Sequence, residues 1–195
     1  MDGKIKILLI FILFTWRSKK NKKIQISPYY LKNINNLINN IKLIEALNEN
    51  NITLYFTLHH MLNNFKNSIR KNKLIKIIEQ NEIFNCLIKT NLLITDFSSV
   101  IFDMIYQRKP YIIFIPDIED PKNKENYKQG YYDIINGLKN DSLYFENKYL
   151  KLEEAIDKIL YYIKNNFTIE SKLSVFYDSF EFNCKNNTRT FINSL

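Results

Sequence analysis

Glycine is nearly missing from this chain, with three residues in 195 beside four prolines. That scarcity excludes a loop-rich β-sandwich and any phosphate loop built on glycine repeats, so a phosphate site has to be made from hydroxyls and helix ends. Cysteine is sparser still. Cys86 and Cys184 stand far apart with no paired-cysteine spacing for a metal, and a reducing, cytoplasmic setting is the simpler inference. Long apolar runs are lacking too. Lys4 and Lys6 precede the run from Ile7 to Phe14, but it falls far short of the roughly 20 apolar residues that span a bilayer, and no small-residue cleavage site follows. The run reads instead as a buried first strand.

What is present supports one core. Hydrophobic residues make up 46% of the chain, which suits a single domain over residues 1–195. The formal net charge of +8 invites a nucleic-acid or membrane partner. The lysines, however, are scattered among asparagines and isoleucines rather than gathered in one block. No nucleic-acid partner is expected, whereas a basic face would help the protein rest peripherally on anionic lipid at the inner side of the membrane, each nearby Lys or Arg contributing about 1 kcal/mol.

The most informative stretch runs from Asn91 to Pro110, NLLITDFSSVIFDMIYQRKP. Leu92, Leu93 and Ile94 form a short apolar run of the kind buried on both faces of a parallel sheet. Thr95-Asp96-Phe97-Ser98-Ser99 then offers three hydroxyls and a carboxylate, residue types that favour turns and helix N-caps. Val100, Ile101, Met104 and Ile105 follow at amphipathic-helix spacing, and Pro110 opens the next apolar run, Tyr111 to Ile115. The sequence therefore predicts strand, polar turn, helix and strand, one parallel crossover unit of an α/β fold. At the carboxyl end of such a strand the turn and helix start face the crevice where α/β proteins bind ligands, and Ser98 and Ser99 suit a phosphate or diphosphate. The plainer reading of Asp96 or Ser98 is a helix cap.

The other elements follow the same logic. Ser27-Pro28 reads as N-cap and first helical position of one covering helix to about Asn48, with Leu31, Ile34, Leu37, Ile38, Ile41, Ile44 and Leu47 inward. Asn50-Asn51 turns into a second strand, Ile52 to Leu58, which delivers His59 and His60, the only histidines, to the same sheet edge as Ser98. A helix from Met61 to Arg70, a strand from Leu74 to Ile78 and a helix from Gln80 to Lys89, with Ile83, Leu87 and Ile88 inward, lead back to Asn91. Asp117, Glu119 and Asp120 read as loop residues after the strand at Tyr111. Pro121 to Asn140, with Tyr127, Tyr131 and Tyr132, reads as an ordered loop near the site. Leu152 to Ile163 is a periodic helix with Leu152, Ala155, Ile156, Ile159, Leu160 and Ile163 inward, opening a C-terminal helical region over about 151–195.

The string Ile94-Thr95-Asp96-Phe97-Ser98-Ser99-Val100, followed by Phe102-Asp103 and Lys109-Pro110, resembles the TDYSSVxFD…KP signature of the CDP-glycerol glycerophosphotransferases, the teichoic-acid polymerases and primases of bacterial envelopes. Phe97 stands where the family usually has tyrosine. Thr15-Trp16-Arg17 resembles the family's Pro-Thr-Trp-Arg motif, with Phe14 in place of the proline, and Leu58-His59 its Leu-His-Pro motif, with His60 in place of the proline. The likeness extends from Thr15 to near the C-terminus, the Asn91–Pro110 stretch being the specific part.

The resemblance implies a Rossmann-like parallel sheet with helices on both faces, corresponding to the C-terminal, donor-binding half of a GT-B fold. It implies a donor site in which Arg17, Thr95, Asp96, Ser98, Ser99 and Val100 bind CDP-glycerol and His59 is catalytic, with neither metal nor other cofactor. The activity it implies is transfer of glycerol phosphate from CDP-glycerol to a hydroxyl of a polyol-phosphate or glycan acceptor, with release of CMP. The family's N-terminal GT-B domain has no counterpart here, so a truncated or split form with little activity alone is expected, the other half coming from a separate chain. Two other classes stay open: a GT-B glycosyltransferase-type domain that binds a nucleotide-sugar, and a non-catalytic interaction domain that keeps the fold.

Overall fold

The computed structural model describes residues 8–14, 27–70, 72–120, 133, 136–137, 139–140, 147–170, 174 and 177–178. Arg17, the tyrosines of the 121–132 segment and Cys184 lie outside these residues. Six strands form one sheet: β1 (Leu8–Phe14), β2 (Ile52–Leu58), β3 (Ile75–Ile77), β4 (Leu92–Thr95), β5 (Tyr111–Phe114) and β6 (Lys148–Tyr149). They lie in the order β3-β2-β1-β4-β5-β6, and every pairing is parallel. This is the strand order of the Rossmann sheet: the chain winds outward from β1 in one direction, then returns to β1's other side and winds the opposite way.

The strand sequences explain the layering. Alternate residues of each central strand point to opposite faces, so a strand covered on both sides must be apolar throughout. In β4, Leu92 and Ile94 enter one core while Leu93 enters the other. In β1, Ile10, Ile12 and Phe14 share the first core and Phe11 the second; in β5, Ile112 and Phe114 share the first and Tyr111 and Ile113 the second. The first core is closed by α1 (Pro28–Ile38), α2 (Ile41–Glu49) and α5 (Leu152–Lys164), the second by α3 (Ile83–Lys89) and α4 (Val100–Tyr106). Phe14 meets the rings of Tyr30 and Phe114 edge-on, each at 6.3 Å between centroids, which knits α1 to the middle of the sheet. Among the described residues no helix is long and apolar enough to cross a membrane.

Several local expectations are corrected by asparagine chemistry. Ser27 caps α1 as expected, its hydroxyl accepting the Tyr29 N–H at 3.1 Å, with Pro28 at the first position. The single helix to Asn48 does not form, because Asn39 and Asn40 interrupt it. Asn40 accepts the Leu43 N–H at 3.2 Å and so starts α2, while the Asn39 amide donates to the Asn35 and Arg70 carbonyls. Short amide side chains compete with the helical backbone in this way. The break turns Ile41 out to 71% exposure, where an inward position was expected. After His59 the chain makes a 3-10 helix, His60–Ser68, closed by Leu62 N–H donating to the His59 carbonyl at 2.7 Å, rather than an α-helix. The Gln80–Lys89 helix likewise opens with a 3-10 turn over Gln80–Glu82, and Cys86, not Ile88, joins Leu87 inward.

The sequence reading also missed β6. This two-residue strand is held by Asn147, whose carbonyl accepts the Ile113 N–H at 2.8 Å. The Asn147 amide donates to the Tyr111 carbonyl at 2.8 Å and to the Tyr162 hydroxyl oxygen at 2.9 Å. One buried side chain therefore ties β5, β6 and α5 together. Burial pushes the Tyr162 hydroxyl above the usual tyrosine range, and the Asn147 bond opposes that shift.

Two measurements check this packing. Asn147→Ala leaves buried acceptors on two elements without their donor and is expected to lower unfolding stability by about 1–3 kcal/mol, read as a shifted urea midpoint at constant slope. Burial raises the Cys86 thiol to about 11, so at pH 8 it is neutral and covered. Mass spectrometry after brief alkylation at that pH is expected to find Cys86 unmodified in the native protein and fully modified in denaturant.

Candidate functional site

The sheet order defines where a ligand belongs. In an open parallel sheet, the strand order reverses at one point, and the loops leaving the carboxyl ends of the two strands on either side diverge to opposite faces, opening a crevice. Here that point lies between β1 and β4. Their register sets Leu13 beside Thr95, while on β1's other side Phe14 is level with Leu58. Asp96 and His59 therefore leave the sheet at the same edge, on either flank of β1's end. Two strand spacings separate them, roughly 10 Å. The strand that leads toward Arg17 ends between them, although Arg17 itself lies outside the described residues.

Within the Thr95–Val100 turn, exposure divides the residues. Thr95 is fully buried and Asp96 is 2% exposed, so neither presents its side chain to solvent at this edge. Phe97, Ser98 and Val100 are half-buried and Ser99 is exposed. The Ser98 hydroxyl accepts the Val100 N–H at 3.4 Å, a bond at the outer limit of useful geometry, and Ser99, the residue before the helix, makes no side-chain cap. The capping reading of Ser98 is thus realised only weakly, leaving both hydroxyls able to engage a ligand. At seven residues α4 is two turns long, and the hydroxyls rather than its dipole are the chemistry of this turn.

Neighbouring elements fix the turn's surroundings. The β5 end continues into a tight turn in which Ile118 N–H donates to the Ile115 carbonyl and Asp120 N–H to that of Asp117. Asp117 is fully buried and Asp120 nearly so, whereas Glu119 is exposed. From α1, the Asn33 amide donates to the Pro116 carbonyl at 2.7 Å, clamping this turn across the sheet edge. Sequence reasoning passed over Asn33, since one asparagine among many on a covering helix carries no local signal. Among the described residues no group of three or more His, Cys, Asp or Glu side chains is placed to hold a metal ion.

His59 is half-buried at the β2 end. Lys109, in the second part of the sequence signature, is used elsewhere: its ammonium donates to the Ile88 carbonyl at 2.6 Å and the Gln107 side chain at 3.0 Å. Its own carbonyl accepts the Tyr177 hydroxyl at 2.7 Å. Burial lowers the Lys109 pKa below the usual lysine value. The residue fastens the end of α3 to the segment entering β5, at the amino ends of the strands and so on the edge opposite the crevice. Asp103 lies exposed on α4.

Fold and crevice define an α/β protein of Rossmann type with a polar turn at its switch point. Comparison with known proteins adds the family. The profile of the CDP-Glycerol:Poly(glycerophosphate) glycerophosphotransferase family matches residues 3–191, and the chain belongs to that family. It is 29% identical over 200 residues to the minor teichoic acid biosynthesis protein GgaB of Bacillus subtilis strain 168, covering 95% of this chain and 21% of that protein. It is 30% identical over 102 residues to the teichoic acid poly(glycerol phosphate) polymerase of Bacillus spizizenii, covering 52% and 23%. The chain thus spans about a fifth of the length of these curated relatives. Among solved structures it resembles the wall teichoic acid polymerase TagF, with 16% identity, a TM-score of 0.41, and coverage of 93% of this chain and 45% of that one.

The division of the turn is open to measurement. Ser98→Ala is expected to change unfolding stability by less than about 0.5 kcal/mol, because its one cap bond is long. Asp96→Ala removes a buried polar group and is expected to cost about 1–3 kcal/mol in the same urea titration.

Proposed function

We propose that this chain forms the donor-binding domain of a teichoic-acid glycerophosphotransferase, the counterpart of the C-terminal half of a GT-B pair, and that it binds CDP-glycerol. The observation that carries the reading is the position of the Thr95–Ser99 turn: accessible hydroxyls leave the sheet at the reversal of strand order, on the edge that also presents His59. Family membership supports this choice of donor. In this reading Ser98 and Ser99 hold the phosphate and glycerol side of the donor. Thr95 and Asp96 set the shape of the turn from beneath, since a carboxylate turned toward a diphosphate would be repelled. The backbone of Val100 closes the turn. Arg17 offers a guanidinium fork to the diphosphate, and His59, as imidazolium, neutralises charge developing on the departing CMP.

The reaction is a displacement at phosphorus. An acceptor hydroxyl oxygen forms a bond to the phosphorus that carries glycerol, the bridging P–O bond breaks, and CMP leaves with the electron pair. The acceptor's proton passes to a base on a complementary domain that carries the polyol-phosphate or glycan acceptor, on this chain or a partner. The residues described here contribute positioning and charge stabilisation, the terms that dominate phosphoryl transfer. A net charge of +8 suits work beside an anionic membrane surface.

Calorimetric titration tests the reading. Wild type is expected to bind CDP-glycerol in preference to UDP-sugars and to turn over little without the complementary domain. Ser98→Ala, His59→Ala and Arg17→Ala should each weaken donor binding about tenfold, or roughly 1.4 kcal/mol. Preference for a UDP-sugar would point instead to a glycosyltransferase-type site, and no heat with any nucleotide to a non-catalytic interaction domain.

A further inference from the structure

A second concavity lies apart from the strand ends. It occupies about 720 Å³ between the α1–α2 elbow, the segment that follows the His60–Ser68 helix, and the first turns of α5, and no residue of the Thr95–Val100 turn lines it. Three cations border it: Lys32 on α1, Lys42 on α2 and Arg70 on the segment between β2 and β3. All three are exposed, and among the described residues no ion pair engages any of them. Among the described residues Glu153 is the single carboxylate in the lining. Positive charge therefore outnumbers negative three to one in the described lining, although along the sequence these cations are up to 38 positions apart, from Lys32 to Arg70.

The hollow is held in shape by side-chain amides. Asn35 accepts the Arg70 N–H at 2.7 Å and donates to the Ser68 carbonyl at 3.0 Å. Asn39 donates to the Arg70 carbonyl at 3.2 Å, and Asn72 donates to the Ile38 carbonyl at 3.0 Å while accepting the Leu74 N–H at 3.0 Å. Arg70's backbone is thus fastened on both sides to the end of α1, which fixes its Cα relative to Lys32 and Lys42. Asn36, also in the lining, supplies an amide that can donate to or accept from a hydroxyl. Cations beside the Asn36 carboxamide match a ligand in which phosphates alternate with hydroxyls. Ile41, Leu152 and Ile156 also belong to the lining, and the concave shape does not match a flat lipid surface.

We propose that this hollow is a binding subsite for a phosphodiester-linked polyol chain, distinct from the donor crevice. It would hold a stretch of the polymer while another part reacts. The identification of the polymer rests on the function proposed above, whereas the anion-binding chemistry of the hollow does not.

The test uses the full chain and a short synthetic glycerol phosphate oligomer as probe, with inorganic phosphate and phosphatidylglycerol vesicles as parallel arms and CDP-glycerol as a reference ligand. Lys42→Glu/Arg70→Glu is compared with Lys89→Glu/Lys164→Glu, an equal charge change at exposed positions outside the hollow. The first pair is expected to weaken oligomer binding about tenfold or more and to flatten its salt dependence, with CDP-glycerol binding unchanged; the second pair should have a much smaller effect. Equal weakening by both pairs, no oligomer binding to wild type, or oligomer binding insensitive to the first pair would each overturn the subsite. Inorganic phosphate competing as well as the oligomer per phosphate, or vesicle binding alone responding to the first pair, would overturn the polymer assignment. Loss of CDP-glycerol binding in wild type would remove the donor reading yet leave the subsite standing on the oligomer data.

Discussion

Parallel pairing on both sides of β1 is the constraint from which the rest of the molecule follows. A parallel sheet sends all its strands' carboxyl ends to one edge, and its connections have to cross the faces. Once β2 pairs on one flank of β1 and β4 on the other, the connections are committed to opposite faces, and the turn after β4 is committed to the gap between them. The apolar continuity of β1, β4 and β5 is the cost of that arrangement, because each strand is covered above and below. The polar residues of the family signature are consequently confined to the few positions where a strand has just ended.

With so little glycine and proline, the chain shapes its turns with asparagine. Asn40 starts a helix, Asn39 ends one, and Asn51 adopts a left-handed φ of 52°, a conformation asparagine tolerates better than most residues. Asn33 fastens the β5 turn over the sheet edge and Asn147 binds three elements from within. A composition that reads on paper as low in information is, in three dimensions, a set of hydrogen-bonding staples. Many of these link segments distant in sequence, so they were invisible to periodicity.

That difference marks what could be read in advance. The strand, turn, helix and strand around Thr95 were legible because each transition changes residue type abruptly, from aliphatic to hydroxylic and back. The common edge of His59 and Ser98 followed from parallel connection alone. The break at Asn39–Asn40 was not legible, since Ile41 and Ile44 continue the helical period and only contacts to Ser68, Arg70 and Asn72 decide the matter. Nor was β6, whose two residues pair through the hydrogen bonds of a neighbouring asparagine rather than through any apolar run. Asp117 and Asp120 read only as loop residues, and their burial goes with a turn closed from α1.

The two rims of the sheet have a consequence of their own. β3 contributes three residues and β6 two, so the fully apolar middle strands are bracketed by margins almost too short to template another strand. Along the described residues a neighbouring polypeptide finds few unpaired amides on which to align, which limits strand-by-strand recruitment into aggregates. A chain this rich in isoleucine and phenylalanine thereby keeps its stickiest segments out of reach of its own copies.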